Sequence, residues 1–227
     1  MAVYAVVPVK TLADSKRRLS SVFTPQERKE LTLAMLEDVL NALQASVVDE
    51  TVIVGEDLAV EQVAKKFGAS YLSANGASLN PTIEEATSWC MKKGSESVLV
   101  LPADVPLLDA KDINRIIELG KGGGSAVVLS PSQNWGTNAL FQNPPKLIPA
   151  CFGPKSFLNH IREAYCKGIG VRLHFSSGLA TDIDSAEDLK KLFETENRTV
   201  SRRILEQITK SSVKASEYFA VKTAIKK

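Results

Sequence analysis

The sequence predicts an α/β fold in which helices cover both faces of a mostly parallel sheet. Short runs rich in Val, Leu and Ile alternate with longer amphipathic segments, and this alternation implies right-handed crossovers between parallel strands. Several runs are apolar at every position, as in strands that are buried on both faces. Because a typical domain has about 150 residues, the chain of 227 residues suits one large domain with an appendage.

Five apolar runs are predicted as strands. The first opens the chain, and segments of helical pattern lie between later runs. Ligands of such sheets bind beyond the carboxyl ends of the strands, so the segments that follow the strands are candidate functional sites. The predicted strands are 2–9, 51–54, 97–101, 126–129 and 170–175.

The predicted helices begin at recognisable caps. Thr24 to Glu27 forms a capping box with proline at the first helical position, and leucines between 33 and 43 then recur on one face. Asp109 is expected to cap a helix that runs to about Leu119 and ends at the following glycines. Further helices are predicted over 84–93, over 154–167 and up to about residue 193.

Charge is distributed unevenly along the chain. The formal net charge is +2, but residues 198–227 carry eight basic and two acidic side chains, a net of +6. The difference leaves −4 on the first 197 residues. We predict an α/β domain over 1–197 and a basic, helical C-terminal extension over 198–227.

The cysteines indicate a reducing compartment. Cys90, Cys151 and Cys166 form no CxxC motif and accompany only two histidines, which excludes an encoded zinc site or disulfide framework. No signal-like segment opens the chain, and no apolar run approaches the ~20 residues of a membrane span. We therefore predict a cytoplasmic protein that has no membrane partner.

The segment after the first strand is strongly basic. Four cations lie within nine residues, from Lys10 to Arg18, and the segment contains no glycine. It is therefore neither a Walker A loop nor a dinucleotide fingerprint, and side-chain cations would bind phosphates where those motifs use backbone amides. A polyphosphate site is the prediction, and a solvated basic loop is the alternative.

Carboxylates follow two later strands. Asp104 lies between Pro102 and Pro106 just beyond the strand at 97–101, where Mg²⁺ bridging phosphate oxygens would stabilise it; the alternative is a turn cap. If the Asp182–Asp184 segment is extended, both of its carboxylates face one side and could share a metal or hold two. Asp184 and Glu187 also have the spacing of a capping box for the helix that follows.

Two further segments, 134–140 and 152–157, are predicted as loops that offer hydroxyls and amides. Thr137 and Asn138 follow a turn glycine, and Ser156 lies at the start of a predicted helix, where backbone amides attract anions. A plain turn and a plain cap are the alternatives. His160 and His174 have no neighbouring nucleophile or metal-like spacing, so both are predicted to be structural.

These segments form a series of motifs in a fixed order. They are Val7–Lys10 with Ser15–Ser20, Leu36–Leu40, Leu101–Pro106, Gly136–Leu140, Phe152–Phe157 and Asp182–Asp184. In this order, over about residues 2–195, the chain resembles the 2-phospho-L-lactate guanylyltransferases of coenzyme F-420 biosynthesis. Molybdenum-cofactor guanylyltransferases and sugar nucleotidyltransferases share some of the motifs but usually have a glycine-rich first loop.

The resemblance implies a fold and a reaction. The fold is a Rossmann-like, three-layer sandwich of the nucleotide-diphospho-sugar transferase, or glycosyltransferase-A, type with a mostly parallel mixed sheet. The reaction transfers GMP from GTP to 2-phospho-L-lactate, or to phosphoenolpyruvate in some members, and releases pyrophosphate with the help of Mg²⁺.

The resemblance also implies roles for individual residues. It makes Asp104, Asp182 and Asp184 the Mg²⁺ ligands, with Asp104 also counted among the catalytic residues. Two positions depart from the family pattern, since members commonly have glycine where this chain has Trp135 and Ser78. The remaining implied groups are Pro8, Lys10, Lys16, Arg18 and Asn80 for the nucleotide, with Lys10, Lys16 and Arg18 also catalytic, and Thr137, Asn138, Gly153 and Ser156 for the phosphorylated acid.

The basic extension has an apolar face. Ile204, Ile208, Ala215 and Phe219 fall on one side of a helix, and we predict that this side packs across the interface of a homodimer. Aromatic residues do not interleave with its cations as a nucleic-acid surface would require. Other guanylyl or sugar-phosphate nucleotidyltransferases, and a non-catalytic nucleotide-binding protein, remain the alternative functions.

Overall fold

The computed structural model describes residues 1–227 except 77, 123, 196, 197, 213, 217 and 220–227. The described residues form a seven-stranded sheet in the order β3-β2-β1-β4-β6-β5-β7. Only β6 runs antiparallel to its neighbours, β4 and β5, in the described sheet. The strands are β1 Val3–Pro8, β2 Glu50–Gly55, β3 Ser70–Ser73, β4 Ser97–Val100, β5 Ala126–Pro131, β6 Thr137–Asn143 and β7 Val171–Leu173.

Helices pack on both faces of this sheet. Side chains of β1 alternate between the two cores, with Ala5 and Val7 on one face and Val6 on the other. The first core lies under α1, α2 and α4, and the second lies under α3 and α5. The predicted three-layer α/β sandwich is thereby confirmed. The helices are α1 Pro25–Gln44, α2 Leu58–Lys66, α3 Leu79–Lys92, α4 Ala110–Gly120, α5 Ser156–Cys166, α6 Leu189–Glu194 and α7 Val200–Ser211.

The predicted caps of α1 and α4 are present, but other boundaries differ. Thr24 and Glu27 form the reciprocal capping box, and Asp109 caps α4. Helix α3 begins at Leu79 rather than at Glu84, and α5 begins at Ser156 rather than at Pro154. The sequence analysis makes no prediction for α2 and β3.

Strand β6 corrects the prediction that residues 137–140 lie in a loop. Its sequence mixes polar and apolar residues, yet Thr137, Asn138 and Gln142 are all buried. Their polar atoms bond to groups outside the strand, for example the Gln142 Oε1 that accepts from the backbone of Ile148 at 2.8 Å. Because distant partners satisfy these side chains, the local pattern conceals a buried central strand.

The basic extension packs on its own domain. Leu205, Ile208 and Ala215 join Leu31 and Met35 of α1 in a third apolar cluster. This corrects the prediction that the apolar face of the extension packs across a subunit interface, because α1 of the same chain covers it. The basic residues Lys222, Lys226 and Lys227 lie outside the described residues.

The first turn of α7 is anchored by a buried carboxylate. Asp38 of α1 accepts hydrogen bonds from the backbone of Val200 at 2.6 Å and of Ser201 at 2.9 Å. These bonds satisfy two of the amides that a helix leaves free at its start.

Within the described ranges, no helix combines the length and the apolar character needed to cross a membrane.

Gly120 allows α4 to lie against the sheet. A Cβ at this position would lie 2.0 Å from the ring of Phe141 in β6, which is completely buried. We expect Gly120→Ala to lower the free energy of unfolding by about 1–3 kcal/mol through overpacking, measured by urea denaturation. Gly170→Ala is the matched control, because its Cβ would meet no atom within 4 Å. Equal losses in the two variants would contradict this account.

Candidate active site

Three segments meet beyond the carboxyl ends of β1 and β4. They are the basic loop after β1, the turn that carries Asp104 after β4, and the segment around Asp184. The backbone N–H of Ile183 donates to the carbonyl of Asp104 at 3.0 Å, which joins the second segment to the third. Ile183 is buried, while its neighbours Asp182 and Asp184 are only partly buried. This alternation is that of an extended chain, in which Asp182 and Asp184 lie on the same side. Asp184 borders the cavity beside the loop, whereas Asp182 contacts Asn138.

Lys16 lies at the centre of this arrangement. Its ammonium donates to Asp104 Oδ2 at 2.6 Å and to Asp184 Oδ1 at 2.7 Å. The side chain is only 6% exposed, against 28% for Asp104 and 46% for Asp184. One cation of the first loop thus joins two of the three carboxylates predicted to form the site.

Side chains of neighbouring elements hold the glycine-free loop in place. The guanidinium of Arg28 donates to the backbone carbonyl of Ser15 at 2.7 Å. The hydroxyl of Thr32 donates to the side-chain hydroxyl of Ser15 at 3.1 Å. Asp57 accepts from the backbone of Leu12 at 2.8 Å. Lys16 itself has a left-handed backbone with φ 50°, which the adjoining anchors maintain.

The charges at the site perturb one another. Burial opposes the charged form of Lys16, but Asp104 and Asp184 outweigh it and raise its pKa. Burial likewise opposes the charged form of Asp184, yet Lys16, with Arg18 and Lys10 further away, holds its pKa below the usual value. Burial raises the pKa of Asp182, and the charges of Asp104 and Asp184 add to that effect. An additional cation near Asp182 would oppose both effects.

The basic loop and two of the three acids border a cavity of about 380 Å³, whereas Asp182 is not among the residues of its wall. Lys10, Lys16 and Arg18 line it together with Asp104 and Asp184. Its remaining wall includes apolar side chains, and the volume falls in the range of small-molecule sites. The apolar wall and the loop backbone are contributed by Pro8, Val9, Leu79, Ile83, Val100, Pro102, Ala103 and Phe152.

The donors at this site fit a hard divalent cation. Mg²⁺ prefers carboxylate oxygens and takes one or two of them together with phosphate oxygens and water, and Asp104, Asp182 and Asp184 offer such oxygens. In the present arrangement, Lys16 lies between two of these acids. Among the described residues, no three His, Cys, Asp or Glu side chains are arranged to hold a metal by themselves. Phosphate oxygens would thus have to complete the coordination.

Helix α6 begins at Leu189, with Asp188 at its N-cap position. This corrects the predicted capping box of Asp184 and Glu187, because Asp184 does not lie at the start of the helix. The Asp188 carboxylate makes no capping bond to α6 and accepts instead from the backbone of Ser185 at 2.8 Å and of Asp184 at 3.3 Å, which precede the helix. The carboxylate of Asp184 contacts Lys16.

Asn138 supports the acidic segment from β6. Its amide nitrogen donates to the carbonyl of Leu179 at 2.9 Å and to Asp182 Oδ1 at 3.4 Å. The side chain is almost completely buried. Asn138 thus orients Asp182 in this arrangement, and its contact with the acid substrate stays a prediction.

Asn80 likewise bonds to the protein rather than facing the nucleotide side of the cavity. Its Oδ1 accepts from the backbone N–H of Phe152 at 2.8 Å, and its Nδ2 donates to the carbonyl of Phe152 at 3.0 Å. Asn80 therefore holds Phe152 in the cavity wall. The predicted nucleotide contact is not part of this arrangement, because both polar atoms are used by Phe152.

The segments predicted to bind the acid lie side by side. The backbone N–H of Phe157, in the first turn of α5, donates to the carbonyl of Trp135 at 3.3 Å. Ser156 Oγ lies 3.9 Å from the place that a Cβ on Gly136 would take. Trp135 has φ 60°, in the left-handed region that favours glycine. This contact brings Thr137 into the neighbourhood of Ser156.

Gly153 forms the turn between the cavity wall and α5. Its φ of 126° is accessible essentially to glycine alone, and it follows Phe152, which lines the cavity. The predicted subsite for the phosphorylated acid is therefore adjacent to the cavity.

Both histidines are hydrogen-bonded within the protein, as predicted. His174 Nε2 lies 3.0 Å from Asp112 Oδ1. His160 bonds to Thr137 and to the backbone of Cys151. The bond between His160 and Thr137 is not predictable from the sequence, because no local spacing encodes contacts between distant segments. The same holds for the anchoring bonds of Arg28 and Thr32.

Known proteins of one family match nearly the whole chain. The model of the family described as "Guanylyl transferase CofC like" matches residues 3–227. A phosphoenolpyruvate guanylyltransferase of Rubrobacter xylanophilus is 39% identical over 85% of this chain and 94% of its own length. A 2-phospho-L-lactate guanylyltransferase of Methanobrevibacter ruminantium is 32% identical over 91% of each chain.

A solved structure supports the fold separately. A protein of Desulfovibrio desulfuricans G20, described as a nucleotide-diphospho-sugar transferase, superposes with a TM-score of 0.78 over 96% of this chain and 99% of its own. The sequence identity is 15%, so this likeness concerns the fold alone.

Proposed function

The chain belongs to the family of CofC-like guanylyl transferases, and from that premise we propose that it transfers GMP from GTP to a small phosphorylated carboxylic acid. Pyrophosphate is the second product, and the step belongs to coenzyme F-420 biosynthesis. The proposed acid is phosphoenolpyruvate or 2-phospho-L-lactate, the acids in the names of the relatives at 39% and 32% identity. The higher identity makes phosphoenolpyruvate the first acid to test.

The observation that carries this proposal is the contact of Lys16 with Asp104 and Asp184 at the cavity. A triphosphate needs cations around its oxygens, and Mg²⁺ needs oxygen ligands next to those phosphates. The cavity border combines both kinds of group, since Lys10 and Arg18 lie beside the same acids. The likeness of the first loop to the family motif supports GTP as the triphosphate.

In the proposed reaction a phosphate oxygen of the acid attacks the α-phosphorus of GTP. The bond that forms links this oxygen to the α-phosphorus, and the bond that breaks joins the α-phosphorus to the oxygen shared with the β-phosphate. Pyrophosphate leaves with that oxygen, and a phosphoanhydride between GMP and the acid remains. No covalent enzyme intermediate is required.

The chain contributes positioning and charge. Lys10, Lys16 and Arg18 bind the phosphates and stabilise the negative charge that develops on pyrophosphate. Asp104 and Asp184 hold Lys16 in place, and Pro8 with the loop backbone shapes the nucleotide side of the cavity. Asp104, Asp182 and Asp184, together with phosphate oxygens, would hold Mg²⁺, which would neutralise phosphate charge.

The acid is proposed to lie between β6 and the start of α5. Thr137 and Ser156 offer hydroxyls there, and the turn at Gly153 leaves its backbone unobstructed. The positive end of the α5 helix dipole also stabilises an anion there. The phosphate of the acid then points to the cavity across Phe152.

Two further proposals concern the state of the protein. Free cysteines at 90, 151 and 166 suit the reducing cytoplasm, where we place the reaction. The homodimer loses its original argument, because the apolar face of α7 is covered within the chain. Light scattering on the purified protein measures its mass directly and tests this prediction.

Product analysis tests the function. We expect GTP, Mg²⁺ and phosphoenolpyruvate or 2-phospho-L-lactate to yield equal amounts of pyrophosphate and a guanylylated acid, identified by mass. EDTA should stop the reaction, and excess Mg²⁺ should restore it. Products only from sugar phosphates would indicate another nucleotidyltransferase. GTP binding without any product would indicate a non-catalytic nucleotide-binding protein, and either result would overturn the proposal.

A further inference from the structure

A buried histidine connects the two segments of the proposed acid subsite. His160 of α5 is completely buried, and both nitrogens of its ring are engaged. Nδ1 lies 2.9 Å from Thr137 Oγ1, and Nε2 lies 2.9 Å from the backbone nitrogen of Cys151. The ring also packs edge-on against Phe152, with centroids 5.0 Å apart. His160 therefore contacts β6 and the segment that leads to Gly153.

The partners of this ring determine where its proton is. The backbone N–H of Cys151 can only donate, so Nε2 must accept and carries no proton. Burial lowers the pKa of His160 to about 4, so the ring is neutral near pH 7 and its single proton is on Nδ1. The Nδ1–H group then donates to the oxygen of Thr137. As a consequence, the hydroxyl proton of Thr137 must point to another acceptor.

We propose that His160 is a positioning residue which, by donating to Thr137, directs the hydroxyl proton of Thr137 toward an anionic oxygen of the phosphorylated acid. The inference rests on the proposed function, because it takes Thr137 as a contact of the acid. If Nδ1 of His160 carried no proton, the Thr137 hydroxyl would be free to rotate and could donate to Nδ1 instead. The acid would then meet an oxygen lone pair, which repels an anion.

Two substitutions at His160 separate its two bonds. The amide nitrogen of asparagine overlays Nδ1, so His160→Asn keeps a donor to Thr137. The amide group of glutamine reaches the place of Nε2, so His160→Gln keeps a partner for Cys151 and loses the donor to Thr137. We expect His160→Gln to raise KM for the acid about tenfold, as for one hydrogen bond to a charged group. KM for GTP should change less than about twofold, and His160→Asn should retain most of the affinity for the acid.

Thr137→Val completes a double-mutant cycle. It removes the hydroxyl that His160 is proposed to orient, so adding His160→Gln to it should raise KM for the acid no further. Additive effects of the two changes would overturn the proposal. If His160→Gln lowers the melting temperature strongly, His160→Asn and Thr137→Val still decide the matter.

The proton position is also measurable without activity. The chain contains two histidines, so a ¹⁵N–¹H correlation spectrum of the imidazoles assigned with His174→Gln identifies the His160 signals. We expect a neutral ring with its proton on Nδ1 at pH 7. A proton on Nε2, or an imidazolium, would overturn the proposal. An unchanged KM for the acid in His160→Gln would overturn the proposed role of His160 but not the proposed function. A wild-type protein that forms no product would overturn the proposed function itself.

Discussion

Asp104→Asn is expected to lower kcat for pyrophosphate release about 10²–10³-fold, the loss typical of one preorganised electrostatic group. Asparagine keeps the size of the side chain and can still accept from Lys16, but it removes the negative charge. That charge both fixes the Lys16 ammonium at 2.6 Å and is proposed to bind Mg²⁺. The required Mg²⁺ concentration should rise together with the loss of kcat.

Asp109→Asn is the matched control for this variant. Asp109 caps α4, and asparagine is as good a cap as aspartate. We expect wild-type turnover in Asp109→Asn and similar urea midpoints for both variants and the wild type. Turnover at the wild-type level in Asp104→Asn would remove Asp104 from the mechanism.

Lys16→Met is expected to reduce kcat as severely as Asp104→Asn does. It should also change how the free energy of unfolding depends on pH. Methionine keeps much of the aliphatic stem and removes the cation that Asp104 and Asp184 share. The pKa of Asp184 lies below its ordinary value, so this group stabilises the wild type fully above its unfolded pKa of about 3.9. That contribution is lost as pH falls through the folded pKa.

The sign of the difference follows from this linkage. Lys16→Met should be less stable than the wild type at pH 7, and the gap should narrow below about pH 4 as the carboxylates become protonated. Urea denaturation at pH 7 and pH 3.5 measures this difference in the free energy of unfolding. Lys111→Met is the control, because Lys111 is exposed. Mg²⁺ should also raise the melting temperature more in Lys16→Met than in the wild type. A gap that is independent of pH would contradict the proposed charge pairing.

The sequence predicts the parts of the site that depend on local pattern. The strand 2–9 is continuously apolar and becomes β1, and the capping box at Thr24 starts α1 where expected. The position of the basic loop and of Asp104 then follows from the rule that ligands lie beyond the carboxyl ends of strands. These features need only neighbouring residues to be recognised.

What the sequence does not predict depends on distant partners. Lys16 is 88 residues from Asp104 and 168 from Asp184, so their contact is not visible in any local spacing. The polar strand β6 is concealed for the same reason, since Asn138 is satisfied by Leu179 and Asp182. Asp184 shows the converse error, because its spacing with Glu187 suits a capping box, yet the helix begins only at Leu189 and the Asp184 carboxylate pairs with the distant Lys16.

The central claim is that a phosphate oxygen of the acid forms the bond to the α-phosphorus of GTP. ³¹P NMR of the product formed from phosphoenolpyruvate labelled with ¹⁸O in its phosphate measures this step. The account predicts that the phosphorus of the GMP half shows the isotope shift of one bridging ¹⁸O, and that pyrophosphate contains none of the label. Unlabelled GMP phosphorus, or label in pyrophosphate, would contradict it.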